Sequence, residues 1–405
     1  MLFSITVCAQ SEPETSTFEP PTDADLFSIE NLIYLGAFRL PAADFGHSSV
    51  NYAEGPIAYN PERHSLFIVG HSHQQAIGEF AIPELSTSSH LSDLPMAAPA
   101  LQAFSSLLDR SPHGNPQVLD RIGGLAFIQG NHADELFINA YEYYDAGADN
   151  SHTSLMVRNA NDLQHSRVDG FFSFTASAGH SAGWLSPIPA EWQGALGGTY
   201  ITGHSSGIPI IARASVGPSA FVFNPFELSA SSKDSGDIAT TPLLDFSLEH
   251  PLHSDLENTS GMNDLWTHLS RVSYGFIVPG SRSYLTLGYS GGHKTGVCYK
   301  CQVANRQDNS TCGGYCARDA SDYSQYYWLW DLDDLLEVKK GKLAAYAVQP
   351  CAYGPWQSAF HEVSYNLGGA SFDPDSKQLY LSLFEADTTQ GEFDKPPIIL
   401  VYRIP

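Results

Sequence analysis

The sequence predicts an all-β protein, a single β-propeller of four-stranded antiparallel blades. Short apolar strands recur along the chain, separated by turns rich in Pro, Asn, Asp and Gly, as is typical of antiparallel hairpins. Charged residues make up only 16% of the 405 residues, with 34 Gly and 25 Pro, which suits many short strands and turns. Repetition of such units indicates a propeller. Five repeats are clear, and they begin at Gly55, Gly123, Ala182, Tyr274 and Gly368.

The strand that opens each blade is assigned to the apolar segment before each repeat. These segments are Leu32–Pro41, Ala100–Asp109, Asp169–Ser177, Pro242–Pro251 and Leu343–Pro350. The last strand ends at Pro405, so we expect the ring to close between the two ends of the chain, which hides the sheet edges. The propeller domain is predicted to span residues 27–405, and the unassigned segments leave room for a sixth or seventh blade.

Charge and hydropathy exclude several classes of partner. The net charge is −24 with only 20 Lys and Arg, which argues against a nucleic-acid partner, because phosphate contacts need a basic surface. No window has the about 18 uninterrupted apolar residues of a membrane-spanning helix. The first residues, MLFSITVCA, resemble the end of a secretory leader, and a linker rich in Pro, Glu, Thr and Ser follows, so residues 1–26 are predicted to lie outside the fold. We expect a secreted or periplasmic monomer; a lipid on Cys8 is less favoured, because the preceding residues fit that signal poorly.

The repeat predicts which loops share a face of the propeller. In a blade of strands a to d, the a–b and c–d loops open on one face and the b–c turns on the other. The first face collects His, Tyr and Arg residues, so we predict the functional site there. Any one of these residues alone is compatible with an ordinary loop or core position, and the evidence is their clustering. They are His71, His73, Arg121, Tyr141, Tyr143, Tyr144, His152, His180, His204, Arg213, Arg271, Tyr274, His293 and His361.

One loop on this face combines a histidine with four cysteines. His293 is followed by Cys298 and Cys301, then by Cys312 and Cys316, and these C-x2-C and C-x3-C spacings predict a zinc site. Two disulfides are the alternative in an exported protein. Of six cysteines, five remain without Cys8, so disulfides alone would leave one thiol unpaired, whereas one His and three Cys on zinc leave two that can pair. With four protein ligands such a zinc ion would be structural.

The chemistry available on the predicted face leaves three classes of function open. His, Tyr and Arg can serve acid–base chemistry on an anionic substrate. A carboxylate pair for glycoside hydrolysis is a second possibility, with Glu142, Asp145 and Glu385 as candidates. A non-catalytic sugar-binding propeller is the third. The c–d loops differ strongly from one another, which favours one central site over one ligand site per blade.

Three segments of this face resemble the β-propeller polysaccharide lyases, in particular the ulvan lyases. They are Tyr141–His152 (YEYYDAGADNSH), Gly203–Pro218 (GHSSGIPIIARASVGP) and the cysteine loop (GGHKTGVCYK…CGGYC). The architecture covers most of the chain. This sequence differs from the family in blade number, since those lyases have seven blades and only five repeats are clear here.

The resemblance implies β-elimination on a uronate-containing, ulvan-like polysaccharide, with or without sulfate. One Arg neutralises the uronate carboxylate, a base removes the C5 proton, and an acid protonates the leaving oxygen. On this basis Arg213 is the expected neutraliser, His152 the base, and His204 or Tyr274 the acid. The residues expected to hold sugar and sulfate groups are His71, Tyr144, Arg121 and Arg271.

Overall fold

The computed structural model describes residues 24–130, 133–177, 179–205, 215–229, 235–306 and 310–405. In these residues the strands form five four-stranded antiparallel blades, which confirms the predicted propeller. The innermost strands of neighbouring blades pack against one another around a central axis. No helix in the described ranges is long and apolar enough to cross a membrane.

The strands run outward from the axis in chain order. After β1 (Ile33–Arg39), blade one contains β2 (Ile57–Asn60), β3 (Ser65–Val69), β4 (Ala76–Ala81) and β5 (Gln102–Ser106). Blade two contains β6 (Arg121–Ile128), β7 (Glu135–Tyr141), β8 (Ser154–Val157) and β9 (Val168–Phe174). Next come β10 (Leu185–Pro187), β11 (Tyr200–Thr202) and β12 (Ala220–Phe223) of blade three. The chain then adds β13 (Gly236–Ile238) in parallel to β9 of blade two, and β14 (Thr241–Leu244) completes blade three.

The last two blades follow the same plan. Blade four contains β15 (Arg271–Val278) and β16 (Ser283–Gly291), then a separate hairpin of β17 (Val297–Tyr299) and β18 (Tyr315–Ala317), then β19 (Tyr323–Asp331) and β20 (Ala352–Pro355). Blade five contains β21 (Leu367–Asp373), β22 (Gln378–Leu383) and β23 (Ile398–Arg403). The α-helices of the described residues are short: α1 (Ala190–Leu196), α2 (Phe226–Ser229) and α3 (Leu332–Lys339).

The ring closes between the two ends of the chain, as the sequence predicts. Strand β1 pairs with β23 from Ile33 opposite Arg403 to Arg39 opposite Ile398, so it is the outermost strand of blade five. The assignment of each opening strand is therefore wrong by one position. The segments with β5, β9 and β14 complete the blade before them, and residues 343–350 contain no strand. The predicted face survives this shift, because moving every strand by one position leaves the same loops on the same side.

Glycine allows the inner strands to approach the axis closely. A Cβ placed on Gly124 of β6 would lie 1.9 Å from the carbonyl oxygen of Gly183, which belongs to blade three. A Cβ on Gly369 of β21 would likewise lie 2.3 Å from the Cα of Pro56, which precedes β2 of blade one. No side chain larger than hydrogen fits such contacts with backbone, so the glycine-containing starts of the repeats mark the centre of the ring.

Three inner strands carry an irregularity where they reach the predicted face. The register shifts between Ile122 and Gly124 in β6, and equivalent shifts occur in β15 and β21. A bulge leaves a backbone group without its ladder partner. Side chains of the preceding blade accept two of these N–H groups: Gln75 Oε1 lies 2.6 Å from Ile122 N, and Ser205 Oγ lies 2.8 Å from Val272 N. These hydrogen bonds connect neighbouring blades where the inner strands reach the predicted face.

A methyl group on Gly124 tests the close approach of the inner strands. We expect Gly124→Ala to lower the free energy of unfolding by about 3 kcal/mol, the upper end of the usual cost of overpacking, because its neighbour is backbone and cannot rotate away. Gly194→Ala is the matched control, since nothing lies within 4 Å of its Cβ position in α1. That change should raise stability by about 0.5–1 kcal/mol. Urea unfolding measures both values, and equal stability of the two variants would contradict the packing described here.

Candidate active site

A pocket opens at the centre of the predicted face. It has a volume of about 360 Å³ and continues into a narrower space lined by glycines of the inner strands. We call the two together the central pocket. Its polar and aromatic lining comes from blades one to five: Glu54, Gln75, Arg121, Tyr141, Tyr143, Trp184, His204, Ser205, His268, Ser270, Arg271, Ser273, Tyr289, Tyr315, Tyr323, Tyr365, Asn366 and Phe384.

Two blades contribute the same arginine–tyrosine pair to the pocket. Arg121 opens β6 and lies directly opposite Tyr141 at the end of β7. Arg271 opens β15 and lies directly opposite Tyr289 at the end of β16. Cross-strand partners have neighbouring side chains, so each guanidinium is placed near a phenol. The repeat thus brings two cations and two phenols to one cavity.

Arg271 remains charged despite its position in the pocket. Burial acts to lower the pKa of Arg271, but the phenols of Tyr289 and Tyr141 and the carboxylate of Glu54 raise it overall. Arg121 is held differently: its Cζ lies 4.9 Å from the centre of the Tyr143 ring, and its Nη1 lies 3.3 Å from Oδ2 of Asp120. The pocket therefore presents two permanent positive charges.

His204 and Tyr141 form a contact between rings of different blades. Their ring centres are 4.8 Å apart. Nδ1 of His204 lies 3.0 Å from the carbonyl oxygen of Gly179, and because a carbonyl only accepts, Nδ1 carries the hydrogen. Nε2 is then the basic nitrogen, and it has no hydrogen-bond partner among the described residues. Burial lowers the pKa of His204 to about 4, so the imidazole is neutral at pH 7.

The Tyr141 phenol is protonated at neutral pH. Burial raises the pKa of Tyr141 to about 12, although the positive charges of Arg271 and Arg121 oppose that rise. A neutral imidazole next to a protonated phenol provides one proton acceptor and one proton donor. The two groups are therefore suited to act on the same substrate.

The blade-four and blade-five side of the pocket is a wall of tyrosines. The rings of Tyr323 and Tyr365 are stacked, with centres 4.8 Å apart and an angle of 15° between their planes. Tyr289 meets Tyr365 edge to face at 5.7 Å. Such a wall offers apolar ring faces together with hydroxyl groups, a combination that suits a sugar, which has C–H faces and a hydroxyl rim.

The structure brings together some of the residues predicted from the sequence. Arg121, Arg271 and His204 line the central pocket. Tyr144 lies at its rim, where its ring meets that of Tyr143 at 5.0 Å and it is 56% exposed. His71 lies on the same face against Tyr52 but does not line the pocket.

Other predicted residues lie elsewhere. His152 is exposed outside the pocket, with Nδ1 2.9 Å from Oγ of Ser151. Tyr274 is buried between blades four and five, where its oxygen accepts the N–H of Phe372 at 2.9 Å and burial raises its pKa. The structure therefore does not bring these two side chains to the central pocket. Arg213 lies outside the described residues.

Several lining residues were not singled out from the sequence. Glu54 is the one carboxylate among the described residues that line the pocket, whereas Glu142, Asp145 and Glu385 do not line it. Tyr289, Tyr323 and Tyr365 were also missed. A closer alignment of the repeats supplies a signal for one of them, because equivalent positions at or near the ends of the second strands hold His71, Tyr141, His204, Tyr289 and Phe384.

Three Gly-x-Ser-x-Gly strings, GHSAG from Gly179, GHSSG from Gly203 and GYSGG from Gly288, have a structural explanation. The nucleophile elbow that shares this pattern needs a strand–turn–helix context, which these blades do not provide. Ser205 accepts the N–H of Val272 and joins two blades. The hydroxyl of Ser181 donates to the carbonyl of Ser177. Ser290 Oγ lies 2.7 Å from Oγ of Ser270 and 2.6 Å from Nε2 of His293. All three hydroxyls thus bond to neighbouring groups of the fold.

The cysteine loop contains two disulfides in this structure. Cys298 pairs with Cys301, and Cys312 pairs with Cys316. His293 has Nδ1 2.9 Å from the carbonyl of Asn263 and Nε2 2.6 Å from Oγ of Ser290. Zinc binds thiolate and a free imidazole nitrogen, so the residues in this arrangement do not fit it. The described residues also contain no group of three or more His, Cys, Asp or Glu placed to hold a metal.

Zinc in this loop stays a prediction that metal analysis can decide. Elemental analysis of protein purified without chelator measures bound zinc, and peptide mass spectrometry identifies disulfides. The zinc site requires one zinc per chain and free thiols at three of the four cysteines. Two intact disulfides without stoichiometric metal would support the arrangement described here.

Comparisons with known proteins find solved structures that resemble this chain at low similarity. No family model matches it, and no curated protein does. One similar solved structure is described as a GH130-family glycoside hydrolase targeting β-1,2-mannosidic linkages in Candida mannan, with 10% identity over 94% of this chain and 96% of that one, and a TM-score of 0.45. An α-L-arabinanase mutant of Cellvibrio cellulosa has 11% identity over 87% and 91%, with a TM-score of 0.42. Similarity this low carries no function, and the likeness to the ulvan lyases stays a prediction.

The low pKa of His204 predicts a loss of stability in acid. In an unfolded chain His has a pKa near 6.5, so between pH 6.5 and about 4 the unfolded state binds more protons than the folded state. The free energy of unfolding should therefore fall as pH falls through this range. His204→Asn should lose less stability than the parent between pH 7 and 4.5, as measured by urea unfolding. Burial also lowers the pKa of His293, which is present in both proteins and cancels in the comparison. Equal losses in the two proteins would contradict a neutral, buried His204.

Proposed function

We propose that the central pocket binds a uronate unit of an acidic polysaccharide and cleaves the chain by β-elimination. The observation that supports this most directly is the neutral His204 beside the protonated Tyr141, in a pocket that also holds two arginines. Elimination needs a base, an acid and a neutraliser of the adjacent carboxylate, and these groups supply all three.

Arg271 is the proposed neutraliser. Its planar guanidinium can bind a carboxylate through two parallel hydrogen bonds, and this withdraws charge from the neighbouring C5 carbon. Arg121 lies in the same pocket and suits a second anionic group, such as the carboxylate of the next unit or a sulfate. A protein of net charge −24 needs such a local concentration of cations to bind an anionic polymer.

The proton transfers follow from the two ionisation states. Nε2 of His204 accepts the C5 proton, the C4–O bond breaks as the C4–C5 double bond forms, and the phenol of Tyr141 gives its proton to the leaving oxygen. The first sugar unit of one product therefore carries an unsaturated bond. The aromatic wall of Tyr323 and Tyr365 would support the sugar ring during this step.

Glycoside hydrolysis is the second candidate, and one electrostatic observation favours it. Glu54 and Asp120 both act to raise the pKa of Tyr141, so both carboxylates lie near it. A carboxylate pair is the usual machinery of glycosidases. Against this reading, Asp120 is engaged by Arg121 and does not line the pocket.

The product separates the two candidates. A panel of uronate-containing polysaccharides is incubated with the protein, and ultraviolet absorbance reports unsaturated ends while a reducing-sugar assay reports all new ends. Elimination gives equal numbers of both kinds of end. New reducing ends without unsaturation would identify a hydrolase, and loss of that activity in Glu54→Gln would assign it to the carboxylate.

Substitutions in the pocket test the assigned roles on whichever polymer the parent cleaves. Tyr141→Phe and His204→Ala should each lower kcat by about 100-fold or more, the usual range for a general acid or base. Arg271→Lys should also be a poor enzyme, because a point charge cannot reproduce paired hydrogen bonds. His152→Ala is the control, an exposed histidine outside the pocket that should keep near-parental rates. A large loss in His152→Ala with a normal His204→Ala would place the base at His152 instead.

A further inference from the structure

We infer that the hairpin of β17 and β18 forms an outer subsite, where an acidic polysaccharide continues from the central pocket across a row of exposed aromatic rings. This inference rests on the acidic-carbohydrate ligand proposed above, but not on the bond-breaking chemistry. We call the row His268, Tyr315, Tyr299 and Lys300 the aromatic row.

The aromatic row begins inside the pocket and leads out of it. His268 and Tyr315 both line the pocket, and their rings are stacked with centres 4.1 Å apart and planes at 15°. Tyr315 lies opposite Tyr299 in the hairpin, and their ring centres are 5.0 Å apart. Nζ of Lys300 lies 5.1 Å from the centre of the Tyr299 ring. Each member touches the next, so the row is a continuous surface that ends in a cation.

The rings of the aromatic row are open to solvent. Tyr299 is 56% exposed and Tyr315 is 44% exposed. Adjacent exposed aromatic side chains next to a pocket are typical of a binding surface, since an isolated domain gains nothing by leaving them uncovered. Sugar rings stack their C–H faces on such residues while their hydroxyls stay in water.

Disulfides fix the hairpin that carries the row. Tyr299 and Lys300 lie between the bonded Cys298 and Cys301, and Tyr315 lies between Cys312 and Cys316. Constraining two short loops in this way limits the conformations available before a ligand binds. A pre-ordered row loses less entropy on binding a flexible chain. The cysteine loop therefore orders the aromatic row through its disulfides, without a metal.

Charge identifies the occupant as an anionic polymer. From His293 to Asp322 the chain carries four of its 20 Lys and Arg residues, Lys294, Lys300, Arg306 and Arg318, against three acids, Asp308, Asp319 and Asp322. The carboxylate of Asp322 accepts the backbone N–H groups of Lys294 and Thr295. The rest of the protein is strongly acidic, since the whole chain has a net charge of −24. A segment with a positive net charge at the rim of a pocket attracts negatively charged ligands, although the rest of the protein is acidic. A neutral sugar chain would gain no affinity from this local positive charge.

The test compares long and short ligands, so that the pocket and the row are measured separately. Calorimetry gives Kd for a long polyuronate and for a uronate disaccharide, with the parent, Tyr299→Ala, and the double variant Tyr299→Ala/Lys300→Gln. We expect the long chain to bind more tightly than the disaccharide to the parent. The variants should weaken long-chain binding by about tenfold, the equivalent of losing one aromatic contact with its charge, and leave the disaccharide unchanged.

A matched control distinguishes the row from any exposed tyrosine. Tyr346 is also 44% exposed and stacked on a histidine, His250, with ring centres 3.9 Å apart, but it does not line the central pocket. Tyr346→Ala should bind both ligands like the parent, whereas Tyr315→Ala should lose long-chain affinity.

The outcomes separate this inference from the proposed chemistry. Length-dependent binding that the row variants remove would support the row even if the parent cleaves no polymer, in which case only the elimination proposal fails. The inference is overturned if the parent binds no polyuronate, if long and short ligands bind equally, or if the row variants weaken both ligands to the same extent.

Discussion

The structure depends on the close packing of five inner strands around one axis. Backbone meets backbone there, as between Gly124 and Gly183, and a single added methyl group has no space. Strands this close have no space between them for side chains that point toward the axis. The polar side chains near the axis therefore lie in the central pocket, where the strands reach the predicted face. Bulges in three inner strands and the side-chain acceptors Gln75 and Ser205 complete the backbone hydrogen bonds there. The same constraint therefore builds the ring and locates the pocket.

The pocket inherits its chemistry from the repeat. Equivalent positions in blades two and four supply Arg121 and Arg271 with their tyrosine partners, and blade three supplies His204 at the position of those tyrosines. Variation at equivalent positions then differentiates the blades, so that one cavity contains a neutral base, a protonated acid and two cations. Burial lowers the pKa of His204 and raises the pKa of Tyr141, because it disfavours the charged form of each side chain. Two arginines in this cavity of a protein with a net charge of −24 are consistent with one anionic ligand bound at the centre.

The sequence predicted the face of the site more accurately than its members. Arg121, Arg271 and His204 were expected on this face and do line the pocket, because strand periodicity decides on which side of the ring a loop emerges. Tyr274 was expected there too, but the register shift between Val272 and Tyr274 changes which way the following side chains point. A bulge adds one residue to a strand, and the alternation of apolar and polar residues in the sequence does not predict where it occurs. Glu54 was missed because it precedes β2, where no alternation of side chains assigns a residue to a face.

By itself, the sequence determined the repeat, the all-β class, the closure of the ring by the two ends and the face that carries His, Tyr and Arg. These features follow from local hydrogen-bonding periods and turn residues, which each segment specifies without its neighbours. Tertiary structure decided which strand is innermost, which cysteines pair, and which side chains meet at the axis, as Tyr323 and Tyr365 do. Those outcomes depend on distances between blades that are far apart in the chain, and such distances are set only when the ring has closed.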